Sequence, residues 1–393
     1  MDNKTNKHFC IQPFVNVTTR IKGQNNVCCN ISSLDSNIKH ESPHDFFNSP
    51  KVKDFRESLL KGEMREECRL CQYQESRSKN SHRIEYNKYY NIKNNQSNEY
   101  YKNILDKLRI SGLDNPLYIE MHISNLCNLK CLTCNENDSS RFHAENKILG
   151  VSTDKDANYS VFDQNKIQAL ESVISDKTLF LDIRGGETLM LDELKKILKG
   201  VDKERANKIT LKVQTNGTIL PDEAWTAIFK KFKRTKVNVS VDAHGDDNNY
   251  VRYPADWKKI LATIEHLKKH DIKFLINTVV SNINIMVLDK LLTWIQENKY
   301  LNYFYILDTP RHYRPNNLPK DLLDIAVKKL QNVKMDFANK DCIKKLHDLI
   351  AMCDRSDSDS NWQRFCREIT MRDKHRKNSI TTVIPEIKEH MNA

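Results

Sequence analysis

From about residue 117 the sequence alternates short apolar runs with segments of helical periodicity, and this alternation restricts the possible folds more than any other feature. The predicted strands are 117–123, 179–183, 209–214, 237–241, 274–280 and 303–307. Helical patterns lie between them, at 191–198, 222–232, 257–270 and 287–298. Strands that alternate with helices build parallel sheets, so the pattern predicts an α/β fold with six strand–helix units.

A loop with the spacing Cys-x3-Cys-x2-Cys follows the first predicted strand directly and contains Cys127, Cys131 and Cys134. Three thiolates on one loop can ligate three irons of a 4Fe-4S cluster and leave the fourth iron open. A structural zinc site is the alternative, but such sites take four ligands, commonly from separated pairs. His122, the nearest candidate for a fourth ligand, lies on the predicted strand itself. The loop therefore favours a cluster with one open iron.

Polar motifs follow the later strands at the points where those strands end. They are Arg-Gly-Gly-Glu at 184–187, Gln-Thr-Asn-Gly-Thr at 214–218 and Ser-Val-Asp at 240–242. Ligands of α/β folds bind at the carboxyl ends of parallel strands, so these motifs are candidate binding elements. Glycine lets a backbone approach a ligand closely, and a carboxylate can accept hydrogen bonds from an ammonium group.

The cysteine loop and the Gly-Gly-Glu, Thr-Asn-Gly and Ser-x-Asp motifs together resemble the radical SAM superfamily. The resemblance implies a partial (β/α)6 barrel and a 4Fe-4S cluster at the three cysteines, with S-adenosylmethionine chelated at the open iron. It also implies the residues that bind this cofactor, which are Gly185, Gly186, Glu187, Thr215, Ser240, Asp242, Arg252 and Asn277. One departure is Thr133, which occupies a position where the family commonly has an aromatic residue near the adenine.

Within that resemblance, each motif has an expected partner on the cofactor. Glu187, with the two glycines before it, is expected to hold the amino group, and Ser240 and Asp242 the ribose hydroxyls. Arg252 is expected to pair with the methionine carboxylate through charge-assisted hydrogen bonds. Asn277 interrupts the apolar run of the fifth strand and is expected to contact the adenosine.

A second set of cysteines precedes the barrel: Cys10, the doublet Cys28 and Cys29, and the Cys-x2-Cys pair Cys68 and Cys71. One member of the doublet completes a set of four thiolates, which can hold either structural zinc or a closed 4Fe-4S cluster. The surrounding patterns Cys-x2-Pro-Phe, Gly-x4-Cys-Cys, Phe-Asn-Ser-Pro and Glu-Cys-x2-Cys resemble SPASM and twitch domains, which bind auxiliary clusters. The spacing favours Cys28, but the sequence leaves the choice within the doublet open.

These patterns predict three regions along the chain. Residues 1–100 form a Cys-rich, SPASM- or twitch-like domain for an auxiliary 4Fe-4S cluster, 101–315 form the partial barrel, and 316–393 form a helical extension. Such an order, with the auxiliary domain first, resembles that of twitch-domain-containing radical SAM proteins. Cys342, Cys353 and Cys366 are spaced too widely for a ligand pair and are expected to pack between helices.

Composition restricts location and partners. No apolar run in the 393 residues reaches the length that crosses a membrane, and the first residues lack the apolar stretch of a signal peptide, so a cytoplasmic protein without a membrane partner is expected. Eleven cysteines in that compartment favour metal ligation over disulfides. The formal charge of +11 allows a nucleic-acid partner but does not favour one, because the lysines are spread along the chain.

The expected function is that of an enzyme of the radical SAM type. An external low-potential donor supplies an electron, S-adenosylmethionine is cleaved to a 5'-deoxyadenosyl radical, and the radical abstracts hydrogen from a peptide or protein side chain. One alternative keeps this chemistry but moves it to RNA, a nucleotide or a small metabolite. Another is a non-catalytic binding protein whose cysteines hold structural zinc. The sequence identifies neither the substrate nor a catalytic residue.

Overall fold

The structure, a computed structural model, describes residues 5–31, 34, 42–78, 81–153, 167–168, 170–171, 174, 178–334, 340–353 and 359–391. Its strands are β1 Asn16–Thr19, β2 Asn25–Asn26, β3 Tyr118–His122, β4 Phe180–Arg184, β5 Thr210–Thr215, β6 Arg234–Ser240, β7 Lys273–Val280 and β8 Asn302–Ile306. All of them belong to one eight-stranded sheet in the order β2-β1-β3-β4-β5-β6-β7-β8.

The α-helices of the described residues fall before, between and after these strands. They are α1 Gln12–Val15, α2 Pro43–Asn48, α3 Pro50–Lys61, α4 Arg69–Ser78, α5 His82–Tyr89, α6 Asn98–Lys107, α7 Ser140–Ile148, α8 Asp192–Gly200, α9 Lys203–Ala206, α10 Glu223–Lys231, α11 Asp246–Val251, α12 Trp257–Lys269, α13 Leu288–Glu297, α14 Lys320–Gln331, α15 Lys340–Cys353 and α16 Asp359–Arg376. No helix among these residues is long and apolar enough to cross a lipid bilayer.

The six predicted strands are confirmed as β3 to β8, which pair in parallel and in sequence order. Alternate residues of each strand point to opposite faces of the sheet. One face is apolar and packs against helices, as Ile119, Leu181 and Leu211 do. The same pairing brings the carboxyl ends of the six strands to one edge, where the predicted motifs lie.

The other face of the sheet is polar at the matching register positions. Glu120 lies beside Asp182, and Asp182 lies beside Lys212. Asp182 accepts hydrogen bonds from the Tyr118 hydroxyl at 2.7 Å, from Lys212 Nζ at 2.7 Å and from Arg184 Nη2 at 2.9 Å. Burial opposes the charge on Asp182, but Arg184 and Lys212 hold its pKa well below the usual range. The inner face therefore carries paired charges rather than an apolar core.

The Cys-rich segment contributes two strands that the sequence analysis did not predict. β1 pairs in parallel with β3, and β2 pairs in antiparallel with β1. Both strands are short, four and two residues, and rich in Asn and Thr, so they show no apolar alternation. The segment also has its own apolar cluster, which includes Phe9, Phe47 and Tyr101. The segment therefore has its own small apolar core, and its two strands extend the sheet of the barrel.

Helix α5 connects the two sides of the sheet. Its Tyr86 ring lies edge-on to Tyr118 of β3, with 6.4 Å between centroids, and Tyr89 lies in the same way against Phe180 of β4 at 6.3 Å. On the other side, the Tyr303 hydroxyl of β8 donates to Glu85 Oε2 at 3.3 Å. The helix thus spans the gap between the first and last strands of the six-stranded part.

The region 316–393, predicted to be helical, contains α14, α15 and α16 among its described residues. Cys353 is buried in the main core, and the half-buried Cys366 packs against that core, as expected for cysteines between helices. The side chain of Cys342 lies outside the described residues.

Candidate metal and cofactor site

The cysteine loop leaves the carboxyl end of β3 and carries three free thiols. Cys127 and Cys131 are buried and Cys134 is half-buried. Burial raises the pKa of the Cys127 thiol to about 12, and the neighbouring Cys131 acts in the same direction. Burial, followed by Cys131, also raises the pKa of Cys134. Because thiolates are the metal-binding form, metal binding at this loop would release protons.

Backbone hydrogen bonds fix the shape of the loop. The Leu129 amide donates to Cys127 Sγ at 3.4 Å. The Lys130 amide donates to the Tyr253 carbonyl at 2.7 Å, and the Leu132 amide donates to the Val251 carbonyl at 2.9 Å. The end of α11 and the residues that follow it therefore hydrogen-bond to the middle of the loop.

His122 is engaged elsewhere and does not complete the cysteine set. Its Nε2 lies 3.2 Å from Glu120 Oε1, and its Nδ1 lies 3.8 Å from Asp138 Oδ1. Burial lowers the pKa of His122, but the two carboxylates outweigh burial and raise it to about 9. A protonated imidazole has no free lone pair for a metal. The loop therefore offers three thiols without an imidazole from this position.

The Gly-Gly turn after β4 packs against the backbone of the cysteine loop. Gly185 has a φ of +109° and Gly186 a φ of +53°. A Cβ at Gly185 would lie 2.5 Å from the Ser124 carbonyl oxygen, and one at Gly186 would lie 2.1 Å from the Leu126 carbonyl oxygen. The sequence predicts that the two glycines allow a ligand to approach the backbone. In the structure, the cysteine loop itself lies against them.

Glu187, the last residue of this turn, is fully buried and held by three donors. It accepts from the Thr215 hydroxyl at 2.7 Å, from the Asn216 amide at 2.6 Å and from the Leu189 amide at 3.0 Å. Burial raises the pKa of Glu187, although the bonds from Asn216 and Thr215 act in the opposite direction. A carboxylate has about four lone-pair positions, so Glu187 retains room for one further donor. Thr215 orients the carboxylate from the next strand.

The turn after β5 contains residues that the sequence analysis did not identify as site residues. Asn216 Nδ2 donates to Asn128 Oδ1 at 2.8 Å and lies 4.0 Å from Cys127 Sγ. Asn128 Nδ2 in turn donates to the Thr218 hydroxyl at 2.8 Å. The Thr-Asn-Gly pattern was visible in the sequence, but only the fold shows that its amide side chain reaches the loop.

Asp242 and Arg252 form a buried ion pair at the end of β6. Arg252 Nη1 donates to Asp242 Oδ2 at 2.7 Å, and the Val279 amide donates to Asp242 Oδ1 at 2.8 Å. Burial acts to lower the pKa of Arg252, but Cys131 and Asp242 raise it overall. No acceptor in the described part of the chain reaches the buried Nε of Arg252. The two residues expected to contact different parts of the cofactor therefore contact each other, and Arg252 keeps one free donor.

Ser240 and Asn277 lie side by side in the register of β6 and β7. Ser240 is buried, and its hydroxyl accepts from Gln214 Nε2 at 3.4 Å. Asn277 is half-buried. The fold therefore places both predicted residues at the carboxyl-end edge, next to the turn that carries Asp242.

The N-terminal cysteines form a second site. Cys10, Cys28, Cys68 and Cys71 line one cavity together with His82 and Arg83. Burial raises the pKa of Cys68 to about 12, followed by the effect of Cys71. The Asn30 amide donates to Cys28 Sγ at 3.4 Å. The structure thus brings four of the five predicted cysteines together.

Cys29 is absent from the lining of that cavity. The bond with Cys28 holds the pKa of Cys29 below its usual range, against burial and the Glu120 charge, and His82 acts in the same direction as Cys28. The neighbours of Cys29 thus include Glu120, on the inner face of the barrel sheet. The geometry favours Cys28 as the fourth member of the N-terminal set.

Residues 121–295 match the profile of the Radical SAM superfamily. Among curated proteins, a GTP 3',8-cyclase of Clostridium perfringens is 24% identical over 165 residues, which cover 42% of this chain and 46% of that protein. An uncharacterized protein of Methanocaldococcus jannaschii is 26% identical over 190 residues, which cover 47% of this chain and 59% of that protein. The chain thus spans about half the length of the curated relatives it matches.

Two solved structures have partial similarity. Native anSMEcpe with bound AdoMet and Cp18Cys peptide has a TM-score of 0.37 at 20% identity, over 54% of this chain and 56% of that chain. Streptococcus suis SuiB bound to the precursor peptide SuiA has a TM-score of 0.38 at 14% identity, over 84% of this chain and 67% of that chain.

The family match begins within β3 and ends within α13. It therefore includes the three-cysteine loop, the Gly-Gly-Glu turn, the Asp242 and Arg252 pair and Asn277. Residues 121–295 of this chain are a Radical SAM superfamily domain.

Proposed function

We propose that this chain is a radical SAM enzyme that cleaves S-adenosylmethionine to a 5'-deoxyadenosyl radical and abstracts hydrogen from a peptide or protein side chain. The observation that carries the proposal is the loop of Cys127, Cys131 and Cys134, whose nearest imidazole is held by two carboxylates. Three thiolates leave one iron of a 4Fe-4S cluster without a protein ligand, and an open iron can bind a cofactor.

The donor set fits a cluster better than a single metal ion. The loop offers three thiols, and His122, beside it, is held by Glu120 and Asp138. A structural zinc site takes four ligands, whereas three thiolates suffice for a 4Fe-4S cluster with one open iron. The number of donors therefore supports the cluster over the zinc alternative.

The residues around the loop also fit S-adenosylmethionine. Glu187 retains room for an ammonium donor, and the free Nε of Arg252 can donate to a carboxylate. Ser240 and Asn277 offer polar groups to a nucleoside at the same edge. Gly185 and Gly186 bring the Glu187 turn against the cysteine loop, so the amino-group acceptor and the thiols are held together.

When bound, the cluster would supply one electron for cleavage of the sulfonium, which gives methionine and the 5'-deoxyadenosyl radical. Cys134 is the least buried of the three thiols, which supports electron entry from an external low-potential donor on that side. Helix α5 contacts both β3 and β8, and would so restrict the access of water to the inner face of the sheet. Exclusion of water limits side reactions of a radical.

The N-terminal set, with Cys10, Cys28, Cys68 and Cys71, would hold an auxiliary 4Fe-4S cluster. Four thiolates close such a cluster to further ligands, so direct binding of substrate is disfavoured. Its proposed role is to accept the electron released when the substrate radical is oxidised to product, or to support the Cys-rich segment. The peptide preference rests on the resemblance of this segment to SPASM and twitch domains.

A nucleotide is the second candidate substrate. One curated relative of the barrel region is a GTP 3',8-cyclase, and the barrel's inner face carries Lys212 and Arg184 beside its carboxylates. Both cations are already paired with Asp182, however, which leaves less positive charge for a phosphate. A peptide or protein therefore remains the preferred substrate over a nucleotide.

Anaerobic reconstitution tests the proposal. The expected result is about eight irons and eight sulfides per chain, for two cubanes, with 5'-deoxyadenosine formed from S-adenosylmethionine and a strong reductant. Bound zinc without this product would support the binding-protein alternative instead. Peptide pools, GTP and RNA, each added separately, would then identify the substrate class through faster formation of 5'-deoxyadenosine. Tight RNA binding that weakens steeply with salt would favour a nucleic-acid substrate.

A further inference from the structure

The last long helix reaches back to the cysteine loop through one arginine. Arg376, at the end of α16, has a side chain only 1% exposed. Its Nη2 donates to the Lys130 carbonyl at 2.8 Å. That carbonyl belongs to the peptide bond between Lys130 and Cys131. The guanidinium therefore lies one peptide group away from a predicted metal ligand, although 245 positions in the sequence separate it from Cys131.

Arg376 is also locked to the helix that follows the loop. Its Nε donates to Glu145 Oε1 at 2.9 Å, and its Nη2 lies 2.5 Å from Glu145 Oε2. Glu145, in α7, also contacts Lys130 Nζ and Arg372 Nη1, each at 2.8 Å. Three cations thus contact one carboxylate that is itself 1% exposed. The network joins the loop, α7 and α16.

An aromatic ring adds a further contact on the same loop. The Arg376 guanidinium lies 5.2 Å from the centroid of the Tyr253 ring, and Lys130 Nζ lies 5.4 Å from it. The Tyr253 carbonyl also accepts the Lys130 amide at 2.7 Å. Such cation–π contacts strengthen when the cation is removed from water. Lys130 is therefore fixed by Tyr253 through its backbone, and by Arg376 through its carbonyl.

Burying this much charge is costly unless every partner is in place. A charge in a water-poor interior also acts more strongly on its neighbours than one at the surface. The reduced form of a cluster carries one more negative charge than the oxidised form, and nearby charge is one determinant of its reduction potential. A guanidinium beside Cys131 would therefore favour the reduced form.

We propose that Arg376 is a positioning residue for the cysteine loop and raises the reduction potential of the cluster bound there. The inference rests on the proposed function, since it concerns the cluster of that site. Helix α16 then contributes a residue to the cofactor site in addition to packing against the barrel.

The test compares three variants of the full chain by redox titration monitored by electron paramagnetic resonance. A change in the spectrum on addition of S-adenosylmethionine identifies the signal of the loop cluster. Arg376→Gln should shift the reduction equilibrium about tenfold toward the oxidised form, about 59 mV for a one-electron couple. Lys374→Gln removes one charge from an exposed position of the same helix and should leave the potential unchanged. Arg376→Lys keeps the charge, so its reduction potential should stay close to that of the parental protein.

An Arg376→Gln protein with full iron content and the parental potential would overturn the inference. If Arg376→Gln loses the cluster, the reduction potential of Arg376→Lys is the deciding measurement. A near-parental potential in Arg376→Lys supports the role of the charge, and a tenfold shift in that variant refutes it. A parental protein without any signal that responds to S-adenosylmethionine would instead refute the proposed function, so the two failures are distinct.

Discussion

The two cysteine sets are assembled in different ways. Cys127, Cys131 and Cys134 lie within eight consecutive residues, so chain spacing alone keeps them near one another. Cys10, Cys28, Cys68 and Cys71 are distributed over 62 residues and meet only because the N-terminal helices and strands fold around one cavity. The residues around the loop thus only orient the first set. The second set forms only when the whole N-terminal segment folds. Local spacing is therefore enough to gather the three cysteines of the loop, whereas the four N-terminal cysteines are gathered only by the fold.

The largest expected effect is loss of cofactor cleavage when the first set is broken. Cys131→Ala should reduce 5'-deoxyadenosine formation to background, because a cluster with two protein ligands is not held at this loop. Cys127→Ala and Cys134→Ala should behave alike. Product formation by chromatography measures the effect, and Cys366→Ala, outside both sets, is the control. Unchanged cleavage in Cys131→Ala would mean that the loop is not the cofactor site.

Breaking the second set should have a narrower effect. Cys68→Ala should lose about half of the iron, because one of two equal clusters is lost, but should retain cleavage without substrate. Turnover of the true substrate should fall. Iron analysis beside 5'-deoxyadenosine formation measures both quantities, with Cys29→Ala as the matched variant because Cys29 lies outside the cavity lining. If Cys29→Ala lost the iron and Cys68→Ala kept it, the assignment within the N-terminal set would be wrong.

A third change tests how strongly the first set depends on its packing. Gly186→Ala would place a Cβ 2.1 Å from the Leu126 carbonyl oxygen, so the loop must move. We expect a loss of unfolding free energy of about 3 kcal/mol or more, with less iron at the loop and unchanged iron at the N-terminal set. Gly150→Ala is the control, because Gly150 also has a positive φ, +69°, but no atom within 4 Å of an added Cβ. Equal thermal stability of the two variants would contradict the close packing.

The smallest effect concerns pH. The carboxylates of Glu120 and Asp138 outweigh burial and raise the pKa of His122 to about 9, from 6.5. A raised pKa means that the protonated form stabilises the fold, so this contribution is full below about pH 6.5 and is lost as the pH rises through about 9. Its size is about 1–3 kcal/mol. Denaturant unfolding from pH 6 to 10 should show a decline in the parent that His122→Gln lacks. If the unfolding free energies of the two proteins changed with pH in the same way, His122 would not make this contribution.

The sequence predicted those parts of the fold that depend on local periodicity. The six strands and four helices between them, α8, α10, α12 and α13, follow from apolar alternation and helical repeats, and their bounds differ from the structure by a few residues. β1 and β2 could not be predicted, because short polar strands are stabilised by their partner in the sheet and not by their own pattern. The role of α16 was also hidden, since no local pattern links Arg376 to Lys130.

For the candidate site, the sequence identified residue types but not their partners. Glu187 and Thr215 were both singled out, and the structure joins them by a 2.7 Å hydrogen bond. Asp242 and Arg252 were assigned to separate groups of a cofactor, yet they pair with each other at 2.7 Å. Spacing gives the strand end on which a side chain lies, whereas pairing depends on the distance between strands and on burial. Likewise, only the fold shows that Cys28, and not Cys29, lines one cavity with Cys10, Cys68 and Cys71.

The parallel pairing of β1 with β3 has a consequence for any shortened protein. A chain that starts at residue 101 would lack β1 and leave the backbone amides and carbonyls of β3 without partners along one side. An unpaired edge of this kind attracts other strands and promotes aggregation. The barrel region and the Cys-rich segment should therefore be produced and purified as one chain, and truncation at their border should give aggregated protein.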